Sequence, residues 1–233
     1  MRVNPRVHAV TDEAGCLVLL NEESGQWHAL NAMGALCWRE LARTGDVDAV
    51  VASVASRYPE VTGEQVRADL THLAGQLLRR GLLTLAAVGP AEGGKAMAVA
   101  PRANRRVSPV DRLAALVAFP IAVAVLRLGF GRATRLVALL RRLPARPASL
   151  GEAQAAVAAA ALVARWYPGR AACLERSLTA VLSAAVRRRR LDWCLGTAND
   201  PRRFHAWVEA DGRPVTAPDD EPVEPDCRRV LTV

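Results

Sequence analysis

Residues 166–190, WYPGRAACLERSLTAVLSAAVRRRR, and residues 204–215, FHAWVEADGRPV, decide the fold of the second half of this 233-residue chain. Pro168 and Gly169 break the chain. Apolar residues at helical spacing then predict a helix that opens near 171–174 and runs to about 188. Residues 191–196 (LDWCLG) and 204–210 (FHAWVEA) carry strand character. Asp211-Gly212 is a strong hairpin-turn signal that lets 213–216 pair back. A helix laid against strands in this order is an α+β arrangement. In FHAWVEA the period of two puts His205, Trp207 and Glu209 on one face and Phe204, Ala206 and Val208 on the other.

Cys173 therefore stands at or near a helix start, 32 positions ahead of a strand histidine, His205. The unpaired N–H groups and the dipole of a helix start favour a thiolate, and Arg170 and Arg176 push the same way. The same N–H groups can stabilise an oxyanion. A cysteine in an Ala/Leu-rich helix is ordinarily a packing residue; the helix-start position together with a strand histidine favours a nucleophile and its base. Cys194 in a β-run, Cys227 in a polar tail, and Cys16 and Cys37 in apolar runs keep the packing role. Trp207 reads as packing beside the site. Residues 187–190 read as a solvated helix end favoured by the dipole, with an acidic peptide or partner as the alternative and nucleic acid less favoured.

Outward from this region, helical segments are expected near 110–127, 131–142 and 151–166, with Pro120 kinking the first and Pro144 and Pro147 separating the second from the third. The third is Ala-rich, strongly helix-forming and suited to close packing. Residues 113–126, LAALVAFPIAVAVL, carry no charge between Arg112 and Arg127. Fourteen residues fall short of the about 20 that span a bilayer and suit a buried helix. A weak membrane-surface association helped by Arg127, Arg132 and Arg135 is the alternative.

Residues 87–107, AAVGPAEGGKAMAVAPRANRR, lack periodicity and read as a linker. Charge changes across it: residues 1–88 are net negative, residues 108–233 net positive, and the whole chain is +8, carried by arginine apart from Lys95. The chain divides into a domain over 1–86, a linker over 87–107 and a domain over 108–233. Five cysteines without a CxxC argue against a disulfide framework or a zinc ribbon. The start MRVNPRVH has no apolar run behind its charge. A cytoplasmic protein is expected.

In the first domain, 6–10, 16–20 and 27–30 are β-rich, and NEESG over 21–25 suits a hairpin. Asn31 caps a helix over 32–43, Asp46 a second over 47–57, and Thr62 with Gln65 a third carrying Val66, Leu70, Leu73 and Leu77 on one face. Residues 82–85 suit a closing strand. Three helices with a β-wing make a winged-helix-like module. DNA binding is disfavoured, because the third helix offers Glu64, Asp69 and one mid-helix cation, Arg67. His28 and His72 have no spacing partner and read as surface or packed side chains.

The stretch CLVLLNEESGQWHALNAMGALCWREL with the helix end LLRRGLL resembles the PqqD-like family of peptide-recognition elements, over residues 5–86. That resemblance implies a leader peptide added as a strand in a groove between Trp27, His28, Ala29 and Leu30 and the third helix with Val66, Leu70 and Leu73. ACLERSL followed by FHAWVEADGRPV closely resembles the transglutaminase-like cysteine proteases of lasso-peptide biosynthesis, the B protein family, here in its fused form. The resemblance implies a papain/transglutaminase-like α+β domain with a helical subregion in front, which cuts the leader from a lasso precursor. An ATP-dependent lactam synthetase is then the expected partner. Cys173 matches the nucleophile and His205 the base. Where the family commonly places an aspartate, this sequence reads Thr216-Ala217, with Asp219 as the expected orienting residue and Asp211, or no carboxylate, as alternatives. No metal or organic cofactor is implied. An acyl transferase of the same fold, or a non-catalytic leader-binding chaperone, are the competing functions.

Overall fold

A computed structural model of the chain describes residues 1–11, 16–84, 107–168, 171–197, 204–216 and 228–233. The chain divides into two compact units, Met1–Gly93 and Gly94–Val233. Both mix helices and strands, and the protein is α+β.

In the first unit the order is β1 (Arg2–Val3), β2 (Val7–Thr11), β3 (Leu17–Asn21), β4 (Gln26–Leu30), α1 (Ala32–Thr44), α2 (Val47–Arg57), α3 (Gly63–Arg79) and β5 (Leu83–Thr84). The strands β2, β3 and β4 form an antiparallel sheet in that order, with Val7 opposite Asn21 and Leu17 opposite Leu30. The expected helix caps are in place. Asn31 accepts from the Gly34 N–H, Asp46 from Asp48 and Thr62 from Gln65. Each satisfies an N–H that the helix itself leaves without a carbonyl. Leu17 and Leu19 pack with Trp38, Leu41, Val50, Val66, Leu70 and Leu77 in one core. The closing strand pairs with β1, two residues too short to show any periodicity. Asn4 and Asn21, both buried, donate to the Gly81 and Arg80 carbonyls at 2.8 and 3.0 Å and tie the strands to the end of α3.

The second unit opens with α4 (Pro109–Arg127), α5 (Phe130–Leu140), β6 (Arg146–Pro147), α6 (Leu150–Ala164) and α7 (Cys173–Val186). It continues with β7 (Arg189–Arg190), β8 (Asp192–Thr197), β9 (Phe204–Ala210), β10 (Arg213–Val215) and β11 (Arg228–Thr232). Helices α4, α6 and α7 pack on one another. Small residues make this possible: Ala115 and Ala159 are fully buried beside Phe119 and Val163. Helix α4 continues through Pro120 as one element. Pro120 lies on the exposed side, away from the packed face. The charge-free run is only half a core helix. Its Ala114, Ala115, Ala118, Phe119 and Ala122 are buried, while Leu113, Leu116, Val117 and Ile121 are 45–64% exposed.

The antiparallel sheet runs β10-β9-β8-β11, so β9 lies inside it, and α7 packs on β9. The turn from β9 to β10 uses Asp211 and Gly212, both at positive φ (52° and 71°), the conformation a two-residue hairpin requires. Two parts of the sequence reading change. The segment 187–190 is only in part a solvated helix end: Arg187 caps α7 and is exposed with Arg188 and Arg190, but Arg188 is left-handed (φ 53°), and Arg189–Arg190 pair in parallel with Arg146–Pro147. Arg187 is paired with Asp111 and Arg189 with Glu152. The tail, read as polar, ends in strand β11 beside β8.

Glu152 shows where part of the arginine excess goes. The Ser149 N–H, first, and then Arg189 and Arg146 hold its carboxyl down at about 2. A carboxylate with a depressed pKa contributes fully above its ordinary value of 4.5, and the contribution is lost as pH falls through about 2.

Candidate active site

Cys173 is the first residue of α7 and is half-buried. Ala172, the N-cap, has no side chain to cap with, so the Glu175 carboxylate turns back and accepts the Ala172 N–H at 2.9 Å. The first-turn N–H groups that follow have no carbonyl one turn earlier, which leaves donors in the same turn as Cys173. His205, also half-buried, is the second residue of β9 and lies opposite Gly196 of β8. Because α7 packs on β9, Cys173 and His205 line one cavity of about 30 Å³. Val157, Arg176, Ser177, Trp207, Val215 and Thr216 complete its walls. That volume holds one or two water molecules.

Thr216, at the position where the resemblance expects an aspartate, lines this cavity. Asp219, the expected orienting residue, lies outside the described residues. Asp211 does not substitute. It sits exposed in the turn beyond β9, six residues along an extended strand from His205, roughly 20 Å at the usual rise.

A buried network below His205 was missed from sequence. Glu209 is 1% exposed. Its Oε1 accepts from the Trp207 Nε1–H at 3.0 Å and its Oε2 from Arg229 at 2.6 Å. The Trp207 ring lies 6.3 Å from the imidazole of His205, with 16° between the planes. The alternation along FHAWVEA put these three residues on one face; Arg229 gave no signal, because its strand was read as tail. On the other side of the cavity, Ser177 receives the Trp193 Nε1–H at 2.9 Å and donates to the Leu174 carbonyl at 3.2 Å.

The other sulfur of this unit within the described residues, Cys194, is buried in β8, and burial with the adjacent Glu209 charge pushes its thiol up to about 12. In the first unit, burial also raises Cys37. Under native conditions, iodoacetamide is therefore expected to label Cys173 and to spare Cys194 and Cys37 until the protein is denatured, as read by peptide mass mapping. Labelling of Cys194 at the rate of Cys173 would contradict this placement.

The predicted peptide-recognition residues divide. Trp27, His28 and Leu30 are half-buried and Ala29 is exposed on β4, and no strand among the described residues pairs with the outer edge of β4. Burial, and then the charge of Arg80, lower His28 below the usual histidine value. Val66 and Leu70 are instead core residues, 5% and 7% exposed, because α3 turns them toward Leu17 and Leu19; Leu73 is only partly covered. Val66 and Leu70 thus belong to the core of this unit and present no surface to a ligand.

Among known families, residues 16–83 match the model described as coenzyme PQQ synthesis protein D (PqqD), and residues 115–225 match the transglutaminase-like superfamily. One solved structure, TbiB1 in complex with the TbiA(beta) leader peptide, is 24% identical and covers 38% of this chain and 100% of that one, with a TM-score of 0.35. No curated protein matches. With a cysteine at a helix start, a histidine on the adjoining strand and these two matches in sequence, the chain joins a PqqD domain to a domain of the transglutaminase-like superfamily.

Proposed function

We propose that this protein is the leader peptidase of lasso-peptide maturation, a cysteine endopeptidase that binds the precursor's leader and hydrolyses the leader–core bond. The observation that carries the reading is the small cavity shared by Cys173 at the start of α7 and His205 on β9. In the proposed reaction, imidazole takes the thiol proton and Sγ attacks the scissile carbonyl, whose oxyanion meets the first-turn N–H groups of α7. The C–N bond breaks, and the imidazolium protonates the leaving amine, which is the new N-terminus of the core peptide. Water then hydrolyses the thioester, with its proton passing to imidazole, and returns Cys173 as a thiol. Asp219 remains the proposed orienting carboxylate.

The outer edge of β4 supports docking of the leader by strand addition, with main-chain hydrogen bonds giving affinity. Binding the leader in the same chain raises the effective concentration of the scissile bond at the thiol. The freed amine is the substrate that an ATP-dependent lactam synthetase needs. A thiol nucleophile supports the reducing cytosol as the compartment. The apolar exposed face of α4, flanked by Arg127, Arg132 and Arg135, supports a weak membrane-surface association as part of the same assembly.

Incubating the protein with its precursor and following the products by mass tests the reading. Hydrolysis yields the separate leader and core masses. A product in which an external amine has been added to the leader establishes an acyl transferase instead. Tight leader binding with an unchanged precursor mass overturns the enzyme reading and leaves a peptide chaperone.

A further inference from the structure

We propose that Trp207, clamped by Glu209 and Arg229, is a positioning platform for the imidazole of His205. This deepens the peptidase reading and rests on His205 being the base for Cys173.

Same-face neighbours on a strand lie roughly 7 Å apart. Side-by-side rings at positions 205 and 207 are therefore ordinary in distance. Their nearly parallel planes are not required by the strand, because each ring turns about its own side-chain bonds. In this site the indole has one orientation available. Its N–H is bound to Glu209 at 3.0 Å, and its far edge occupies the space left by Gly196, where an added Cβ would come within 2.6 Å of Trp207 Cη2. Glu209 is fixed in turn by Arg229, which reaches it from β11 at 2.6 Å.

A carboxylate that is 1% exposed is an unfavourable way to fill a strand face, since burying a charge costs free energy that an apolar side chain does not. Here the charge selects one plane for the indole. The imidazole is then held between that plane and the cavity, where Cys173 and Arg176 of α7 and Thr216 beyond β10 face it. A base with one fixed ring plane reaches the thiol without first searching its rotamers.

The test uses the full chain and the variants W207L, W207F and E209Q. Two measurements are made: the ring-proton NMR signals of His205, assigned with H205A, and kcat and KM for precursor cleavage. In W207L the ring-current displacement that the indole imposes on the His205 signals is expected to vanish. Its kcat should fall about tenfold with KM unchanged, the signature of lost positioning. E209Q, whose amide oxygen still accepts the indole N–H, is expected to retain the displacement and to stay within about threefold of the wild-type kcat. W207F keeps a ring but gives Glu209 no N–H to hold, and is expected to lose part of the displacement and to fall between E209Q and W207L in kcat. Unchanged His205 signals in W207L overturn the platform. So does W207F matching the wild type in both readouts, since that result means the Glu209 clamp selects no ring plane. If the wild type cleaves no precursor yet W207L still loses the displacement, the platform stands and the peptidase reading fails.

Discussion

Replacing Cys173 with alanine is expected to lower precursor cleavage by roughly 10⁴-fold or more, below detection in an ordinary assay, because among the described residues Cys173 is the one cysteine that lines the cavity. Leader affinity, read by fluorescence anisotropy of a labelled leader, should stay within about twofold, since binding is assigned to the PqqD domain and not to the thiol. His205→Ala should cost a similar factor. The double variant should be no worse than either single one, because members of one catalytic unit lose their effects together. Cleavage retained in Cys173→Ala removes this site from consideration, whatever the family match. Loss of binding in the same variant would mean that the two units do not divide the work as proposed.

Replacing Gly196 with alanine is expected to destabilise the second unit by about 3 kcal/mol, at the upper end of what overpacking costs. The added Cβ would press on the Arg228 carbonyl inside van der Waals range and on the Trp207 ring, where β8 and β11 already shift register between Arg229 and Leu231. Neither neighbour is the loose end of a flexible side chain. Gly212→Ala is the matched control: Gly212 has positive φ (71°) with nothing within 4 Å of an added Cβ, so only the local backbone strain of about 1 kcal/mol applies. Urea unfolding followed by tryptophan fluorescence reads both variants, since Trp193 and Trp207 are buried in this unit. If Gly196→Ala proves no less stable than Gly212→Ala, β11 is not held against β8 as described.

The helices and long strands were legible because their signals are local. Asn31, Asp46 and Thr62 cap where polar side chains precede apolar periodicity, and β9 spans Phe204–Ala210 as its alternation predicted. Cys173 and His205 were legible as a pair for a similar reason: a helix start and a strand each announce themselves, and the family pattern joins them. What escaped depends on long-range pairing. Strand β1 and the β6–β7 pair have two residues per strand, too few for a period, and exist because a distant partner supplies hydrogen bonds. The ion pairs of Arg187 and Arg189 gave no sequence signal because Asp111 and Glu152, which neutralise them, lie 76 and 37 positions earlier. Val66 and Leu70 were right as one face of a helix and misread as groove lining. Periodicity says which side is apolar, not whether the core or a ligand covers it.

The outer edge of β4 carries one more consequence. Its sequence, QWHAL, contains no lysine and no proline, the two residues with which proteins commonly blunt a strand edge against pairing with copies of themselves. A docking edge of this kind is also a self-association edge. On the proposed reading, a leader docked on this edge would block pairing of β4 with the β4 of a second copy, and self-association would fall as leader is supplied.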